Sequence, residues 1–552
     1  MAYSLPFAEL SFPDACGKAL RLTAQGTYLE RTLESDPNMS VALASPSSPS
    51  TRRAIVIFGV IYVLLWALLP PLLSQSHPLD VVESLSWGRE WQWGTYKHPP
   101  LAPVVLHIFY VVFGKFGPYL LSQVCIALTL WCVWRTGLRL MSADRALVGT
   151  VLTMAVAYYN FPALEYNHNI AQMPIWAALG WCLLAALQDG RLWQWLLLGL
   201  LAGLGLLTKY SVGVLLACMG LYLLLTPDRK VLKGIGPWLT LLVMAAVFAP
   251  HAWWLHQSDW LPFAYASSRA EGAPSRLNAL GFLLTQALNH VPMILILGLS
   301  AWLSRRAAKT QAQEAFVWHT ARPLYLCMLA LTPGLLVTVM GLVTGARVRD
   351  MWGVPMWAFS GLMVMAVLPT AWFAPMRRKL LRGVGIWLVL VTVFALVYVT
   401  FGAQLRKRPA RMDWPAAAIA QQAQQTWQVH SSCKLDVVAG EYWLAGLVAT
   451  ASLQGPSVLI HGDARYSPWV NLSRLQAHGA LWLWQPEKGD VKPPEPLHAL
   501  DGAQGIRMTE GTWTIPWAYS PKAKPLELRW RTYVPEACAV NPMSDGSGAA
   551  KN

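Results

Sequence analysis

The sequence predicts a polytopic α-helical membrane protein of about eleven transmembrane helices, followed by a small α/β domain on the outer side. Three observations carry that expectation. Only 13% of the 552 residues are charged and 55% are hydrophobic, whereas soluble domains run at about a quarter charged. Apolar runs long enough to cross a bilayer recur from residue 54 to residue 402. Beyond about residue 405, short strand patterns between Gly, Pro and Asp turns replace those runs. The formal charge of +15 would point to nucleic acid if the basic residues gathered on a soluble surface. Instead they fall in short clusters between apolar runs, which encodes topology, and no nucleic-acid partner is expected.

Residues 1–52 are polar and dotted with Ser and Pro, without the pattern of a signal peptide, and are expected to be a disordered tail. Spans are expected near 54–73, 119–138, 146–161, 170–187, 192–208, 210–226, 235–254, 278–303, 323–343, 353–373 and 383–402. Arg52–Arg53, Arg139/Arg145, Arg191, Arg229/Lys230/Lys233, Arg305/Arg306/Lys309 and Arg377/Arg378/Lys379/Arg382 occupy alternate loops. By the positive-inside rule those loops are cytoplasmic. The stretch His98–Gly117 is apolar but broken by Pro99, Pro100 and Pro103. It reads as interfacial helices, because a full crossing there would turn the later Arg clusters outward. Residues 53–403 thus form the membrane domain and 404–552 an extracytoplasmic α/β domain. Arg406, Lys407, Arg408 and Arg411 run against that orientation, and anchoring to anionic headgroups is the expected reason. Cys433 and Cys538 fall in the outer domain, where they can pair if it lies in an oxidising compartment.

The chemistry concentrates between Pro78 and Pro103, PLDVVESLSWGREWQWGTYKHPPLAP. Charges held at a membrane boundary cost free energy unless paired or used. Asp80 fits a general base or a metal ligand, and equally an N-cap for the helix that follows. Glu83, Arg89 and Glu90 are spaced for local ion pairs, and Glu83 is also a candidate substrate-binding residue. Lys97 and His98 precede a Pro-Pro that fixes the backbone, so either fits a phosphate at headgroup depth, Lys as a point charge and His as a donor. Lys97 fits simple snorkelling as well.

The loop PALEYNHNIAQMP at 162–174 offers Glu165, Asn167, His168, Asn169 and Gln172 to complete a polar cleft with Asp80. In GARVRDMWGVPMW, Arg347 and Arg349 suit clamping of phosphate or sugar oxygens, or pairing with Asp350. The long loop 254–277, with Arg269 and Arg276, is a candidate lid. No P-loop, H-E-x-x-H or G-x-S-x-G motif occurs.

The order Asp80, Arg89–Glu90, His98-Pro99-Pro100-Leu101, then LLTKYS at 206–211 and R-x-R-x-x-W-G-x-P-x-W at 347–357 resembles the bacterial protein-mannosyltransferase-like family. These are glycosyltransferases of the C-type (GT-C) fold, and the family includes the aminoarabinose transferase of lipid A. The resemblance covers roughly 53–402. It implies sugar transfer from a polyprenyl-phosphate donor to a lipid, glycan or protein acceptor, at the periplasmic face of a bacterial inner membrane and with inversion. It also implies that Asp80 acts as base or metal contact, that Lys97 or His98 holds the lipid phosphate, and that Arg269 or Arg276 adds a second phosphate contact. The family's second outer-loop acid is matched only by Glu165 or Asn169. A divalent metal ion on Asp80 and Glu165 therefore stays an open expectation. A transporter or flippase, or a non-catalytic lipid-binding subunit, are the rival classes.

Overall fold

The computed structural model describes residues 49–270, 276–309, 316–406, 408–486, 497–520 and 523–540. The expected N-terminal tail therefore lies almost wholly outside the described residues. Among the described residues six helices are long and apolar enough to cross a membrane, and up to ten spans result when each sharply bent helix pair counts as one. Leu192–Thr208, at the expected span 192–208, is apolar but only 17 residues long and falls outside that count. The chain is a multi-pass membrane protein. Its outer helices show why: only 11% of the apolar window of Gly236–Gln257 is buried, against 72% for the central helix His168–Asp189. Side chains such as Leu242, Leu284, Leu295 and Val343 stand exposed on these helices, a surface that lipid covers and water would not.

The apolar run 101–140 is continuous enough to look like one 40-residue span. It is two helices, Leu101–Phe113 and Gly117–Leu140. Gly114 takes a positive φ of 56°, and a Cβ on Gly117 would collide with the Phe109 carbonyl. The chain therefore folds back sharply at this point. Leu101–Phe113 is left about 20 Å long, too short to cross, as the Pro-rich sequence suggested. The expected span 278–303 also differs, being Leu277–Asn289 followed by Val291–Lys309. His290 at the break bonds the Gln286 carbonyl (2.8 Å) and the Ser360 hydroxyl (2.9 Å). Gln286 itself bonds Tyr158, Trp357 and the Asp350 carbonyl. A polar network inside the bundle thus fixes the break, which an apolar window cannot reveal.

The loops assigned to the cytoplasm by charge touch one another. Arg139 pairs with Asp189 and Arg322 with Asp228, both at 2.8 Å, and Arg377 pairs with Asp144. Arg145 donates to the Leu368 carbonyl at 2.7 Å, and the Ala321 amide to the Leu140 carbonyl at 2.8 Å. One end of the bundle is therefore basic and ion-paired.

The last long helix, Thr370–Leu405, leads into the sheet domain. Among the described residues its five strands are β1 (Val437–Gly440), β2 (Ser457–Ile460), β3 (Ala480–Trp484), β4 (Ile506–Ile515) and β5 (Leu526–Pro535), in the order β2-β1-β3-β5-β4. β1 runs parallel to β2 and β3, and β5 antiparallel to β3 and β4. Cys433 and Cys538 form a disulfide across 105 residues. Arg406 is not left to headgroups: it forms a 2.7 Å ion pair with Asp413 and lies over the Tyr398 ring. Arg411 lies 4.8 Å from the Trp443 ring centroid. Asp413, Tyr398 and Trp443 thus hold these two cations within the fold.

Candidate active site

Asp80 lies in the first turn of the helix Leu79–Gly88, which Pro78 starts in extended backbone. Pro78, not Asp80, holds the N-cap position, so the N-cap role is not the one Asp80 plays. The Asp80 amide donates to Glu165 Oε1 at 2.9 Å. Of the polar residues in 162–174, Glu165 is the one that this bond brings to Asp80. Burial pushes the Asp80 carboxyl up from its ordinary range, while Lys209 and then Lys97 pull it back. Burial, together with the neighbouring Asp80 carboxylate, raises Glu165 to about 7.

Lys209 occupies the break between Leu192–Thr208 and Val212–Leu225. Its ammonium donates to Asn169 Oδ1, and Asn169 starts the central helix beside Asn167, whose side chain caps it. Desolvation lowers Lys209 to about 8, with Asp80 opposing that drop. The sequence showed Lys209 only within LLTKYS and assigned it no role. A lysine in a break between two apolar runs was the available signal.

Lys97 forms a 2.5 Å ion pair with Glu83, the two side chains only 10% and 8% exposed. Four rings surround the ammonium, at 4.2 Å (Tyr442), 5.1 Å (Tyr96), 5.4 Å (Tyr265) and 5.8 Å (Trp87) to their centroids. Burial of the Glu83 carboxyl outweighs the pull of Lys97 and raises it to about 7. His98 differs from its neighbour: its ring stacks against His168 at 4.0 Å, and burial drives it well below the usual imidazole range. Of the two, Lys97 is the one that forms an ion pair.

Arg89 and Glu90 face the sheet domain. Arg89 donates to the Gly455 carbonyl, and Glu90 meets Ser457 and Arg474. Arg347 and Arg276 are exposed and Arg349 is half-buried; none forms an ion pair among the described residues, and Arg349 does not pair with Asp350. The Arg269 side chain and residues 271–275 lie outside the described residues, so the lid expectation falls partly there. Among the described residues no group of three His, Cys, Asp or Glu side chains is placed to hold a metal ion. Asp80 and Glu165 are a pair.

ArnT from Cupriavidus metallidurans, crystallised with undecaprenyl phosphate, aligns over 86% of this chain and 98% of its own, at 14% identity and a TM-score of 0.59. The fold is the C-type glycosyltransferase fold. The same enzyme in its apo state aligns over 87% and 98%, at 13% identity and a TM-score of 0.54. Residues 97–254 match the family model described as dolichyl-phosphate-mannose-protein mannosyltransferase. That stretch contains Lys97, His98, Glu165, Asn169 and Lys209 but stops short of Arg347 and the sheet domain. The resemblance read from the motifs is met in both sequence and fold. No curated protein matches by sequence.

Proposed function

We propose that this protein is an integral-membrane glycosyltransferase that moves a sugar from a polyprenyl-phosphate donor to an acceptor, with inversion, at the periplasmic face of a bacterial inner membrane. The observation that carries the reading is the convergence of Asp80 and Glu165 with Lys209 and Lys97 at the end of the bundle away from the ion-paired basic loops. ArnT, which shares the fold, was crystallised with undecaprenyl phosphate, and the family model spans both lysines.

The roles follow from charge. Departure of a polyprenyl phosphate leaves negative charge on the phosphate oxygens, and preorganised cations stabilise it. Lys97, sheathed by rings that keep water away, supplies one. Lys209, beside Asp80, keeps that carboxylate ionised in a site whose burial favours the neutral acid. Asp80 then accepts the proton of the acceptor hydroxyl as oxygen attacks the anomeric carbon from the face opposite the phosphate. One bond forms and one breaks, so the configuration inverts. Glu165 holds the first turn of the Asp80 helix through the amide it accepts.

A divalent ion at this site would rest on Asp80 and Glu165, with substrate oxygens completing its shell, as magnesium sites commonly do. It would supply further neutralisation of the phosphate. Sugar and acceptor, whether lipid, glycan or protein, are to be found by assay. The test is transfer of a labelled sugar from a polyprenyl-phosphate donor by purified protein. Asp80→Asn is expected to lose about 10²- to 10⁴-fold in rate, the scale of general-base catalysis. Undiminished transfer by that variant removes Asp80 from the chemistry.

A further inference from the structure

We infer that Tyr442, from the sheet domain, is a positioning residue for Lys97, so that the helix Tyr442–Ala451 forms one wall of the donor-phosphate site. This rests on the functional reading given above. Of the four rings around the Lys97 ammonium, Tyr442 is nearest, at 4.2 Å. It is also the one supplied by the sheet domain; Trp87, Tyr96 and Tyr265 come from the membrane domain. The sequence offers no hint of the contact, because 345 residues separate the two.

The placement is built into the fold. Glu441 accepts the Trp443 amide at 3.2 Å and caps the helix that Tyr442 begins. One turn on, Gly446 lies so close to Val82 that a Cβ there would stand 2.7 Å from its Cγ1. The helix Tyr442–Ala451 thus packs directly on the helix that carries Asp80 and Glu83. The Tyr110 hydroxyl donates to the Thr450 carbonyl at 3.0 Å, securing the other end. Val82, Trp87 and Tyr96 share a single hydrophobic core with Trp443, Leu444, Leu447 and Val438 of β1. Burial of these side chains in one cluster joins the two domains here.

Lysine has four rotatable bonds and no preferred geometry for phosphate. An ammonium over a desolvated aromatic face is held by the ring quadrupole. Glu83 engages one of its three donors, and the ring of Tyr442 fixes the direction of the rest. The Tyr442 hydroxyl makes no hydrogen bond among the described residues, so its ring and not its hydroxyl holds the lysine.

The experiment uses the full-length purified protein with undecaprenyl phosphate as the binding probe and a labelled polyprenyl-phosphate sugar as donor. Tyr442→Ala is expected to weaken binding and to raise the donor KM by about 5- to 30-fold, with kcat changed far less. Tyr442→Phe, which keeps the ring, should stay within about 2-fold of wild type by the same account. Tyr442→Leu keeps bulk without the aromatic face and should behave like Tyr442→Ala, which separates positioning from loss of packing. Wild-type affinity in Tyr442→Leu, or equal impairment in Tyr442→Phe, overturns the inference. A wild-type protein that neither binds the probe nor transfers sugar overturns the functional reading itself.

Discussion

Replacing Lys209 with Met removes the largest positive influence on Asp80 while keeping much of the side-chain volume. Burial raises the Asp80 carboxyl, Lys209 lowers it most, and Lys97 lowers it less. An opposite charge at such a site is worth roughly 1–3 pKa units, and each unit is about 1.4 kcal/mol of differential interaction. Asp80 must be ionised to accept a proton, so activity is lost as pH falls through its pKa. Without Lys209 that pKa rises, and the acidic limb of kcat/KM should move up by about one unit or more. Lys209→Arg should hold the limb near its wild-type position, and Lys97→Met should move it less than Lys209→Met. The assay is sugar transfer from a polyprenyl-phosphate donor between pH 5 and pH 9, with thermal unfolding run alongside to verify folding. An unmoved limb in Lys209→Met, or one displaced to lower pH, would refute the electrostatic role.

Burial raises Glu83 from 4.5 to about 7, so the folded protein binds this proton more tightly than the unfolded chain. The stability linked to Glu83 is therefore full below about 4.5 and lost as pH rises through about 7. Glu83→Gln should flatten the fall in unfolding temperature across that window, and an unchanged slope contradicts it. Gly446→Leu inserts a side chain where Val82 already sits. We expect about 1–3 kcal/mol of destabilisation, faster proteolysis of the sheet domain and a loss of transfer; wild-type behaviour would show that this helix contact is dispensable. The Cys433–Cys538 bond closes a loop of about a hundred residues, worth roughly 4–5 kcal/mol on the chain-entropy model. Cys433→Ser should lower the unfolding temperature of the sheet domain, and reductant should do so in wild type but not in the variant.

Much of this organisation was legible because it is written in local composition. Apolar run lengths and alternating basic loops marked the bundle, and the contact of those loops through Arg139–Asp189, Arg322–Asp228 and Arg377–Asp144 bears out their common side. The polarity of 162–174 pointed to Asp80, and Glu165 meets it. The rest depends on contacts between distant segments. Lys97 and His98 are adjacent and looked equivalent, yet one faces Glu83 and four rings while the other stacks on His168. Lys209 resembled a turn residue because nothing beside it in the chain announces Asp80. The break at His290 was hidden because its polar partners, Ser360 among them, come from elsewhere in the bundle. Arg406 and Arg411 looked misplaced for want of Asp413 and Trp443, which only the fold brings to them.

The central claim is that the Asp80 cluster releases a polyprenyl phosphate as it transfers a sugar. Its most direct test is to incubate purified wild-type protein and Asp80→Asn with a panel of polyprenyl-phosphate sugars and candidate acceptors, and to measure polyprenyl phosphate released. The account predicts acceptor-dependent release by wild type, a product of inverted anomeric configuration, and loss of both in Asp80→Asn. Equal release by the two proteins, or a product of retained configuration, would contradict it.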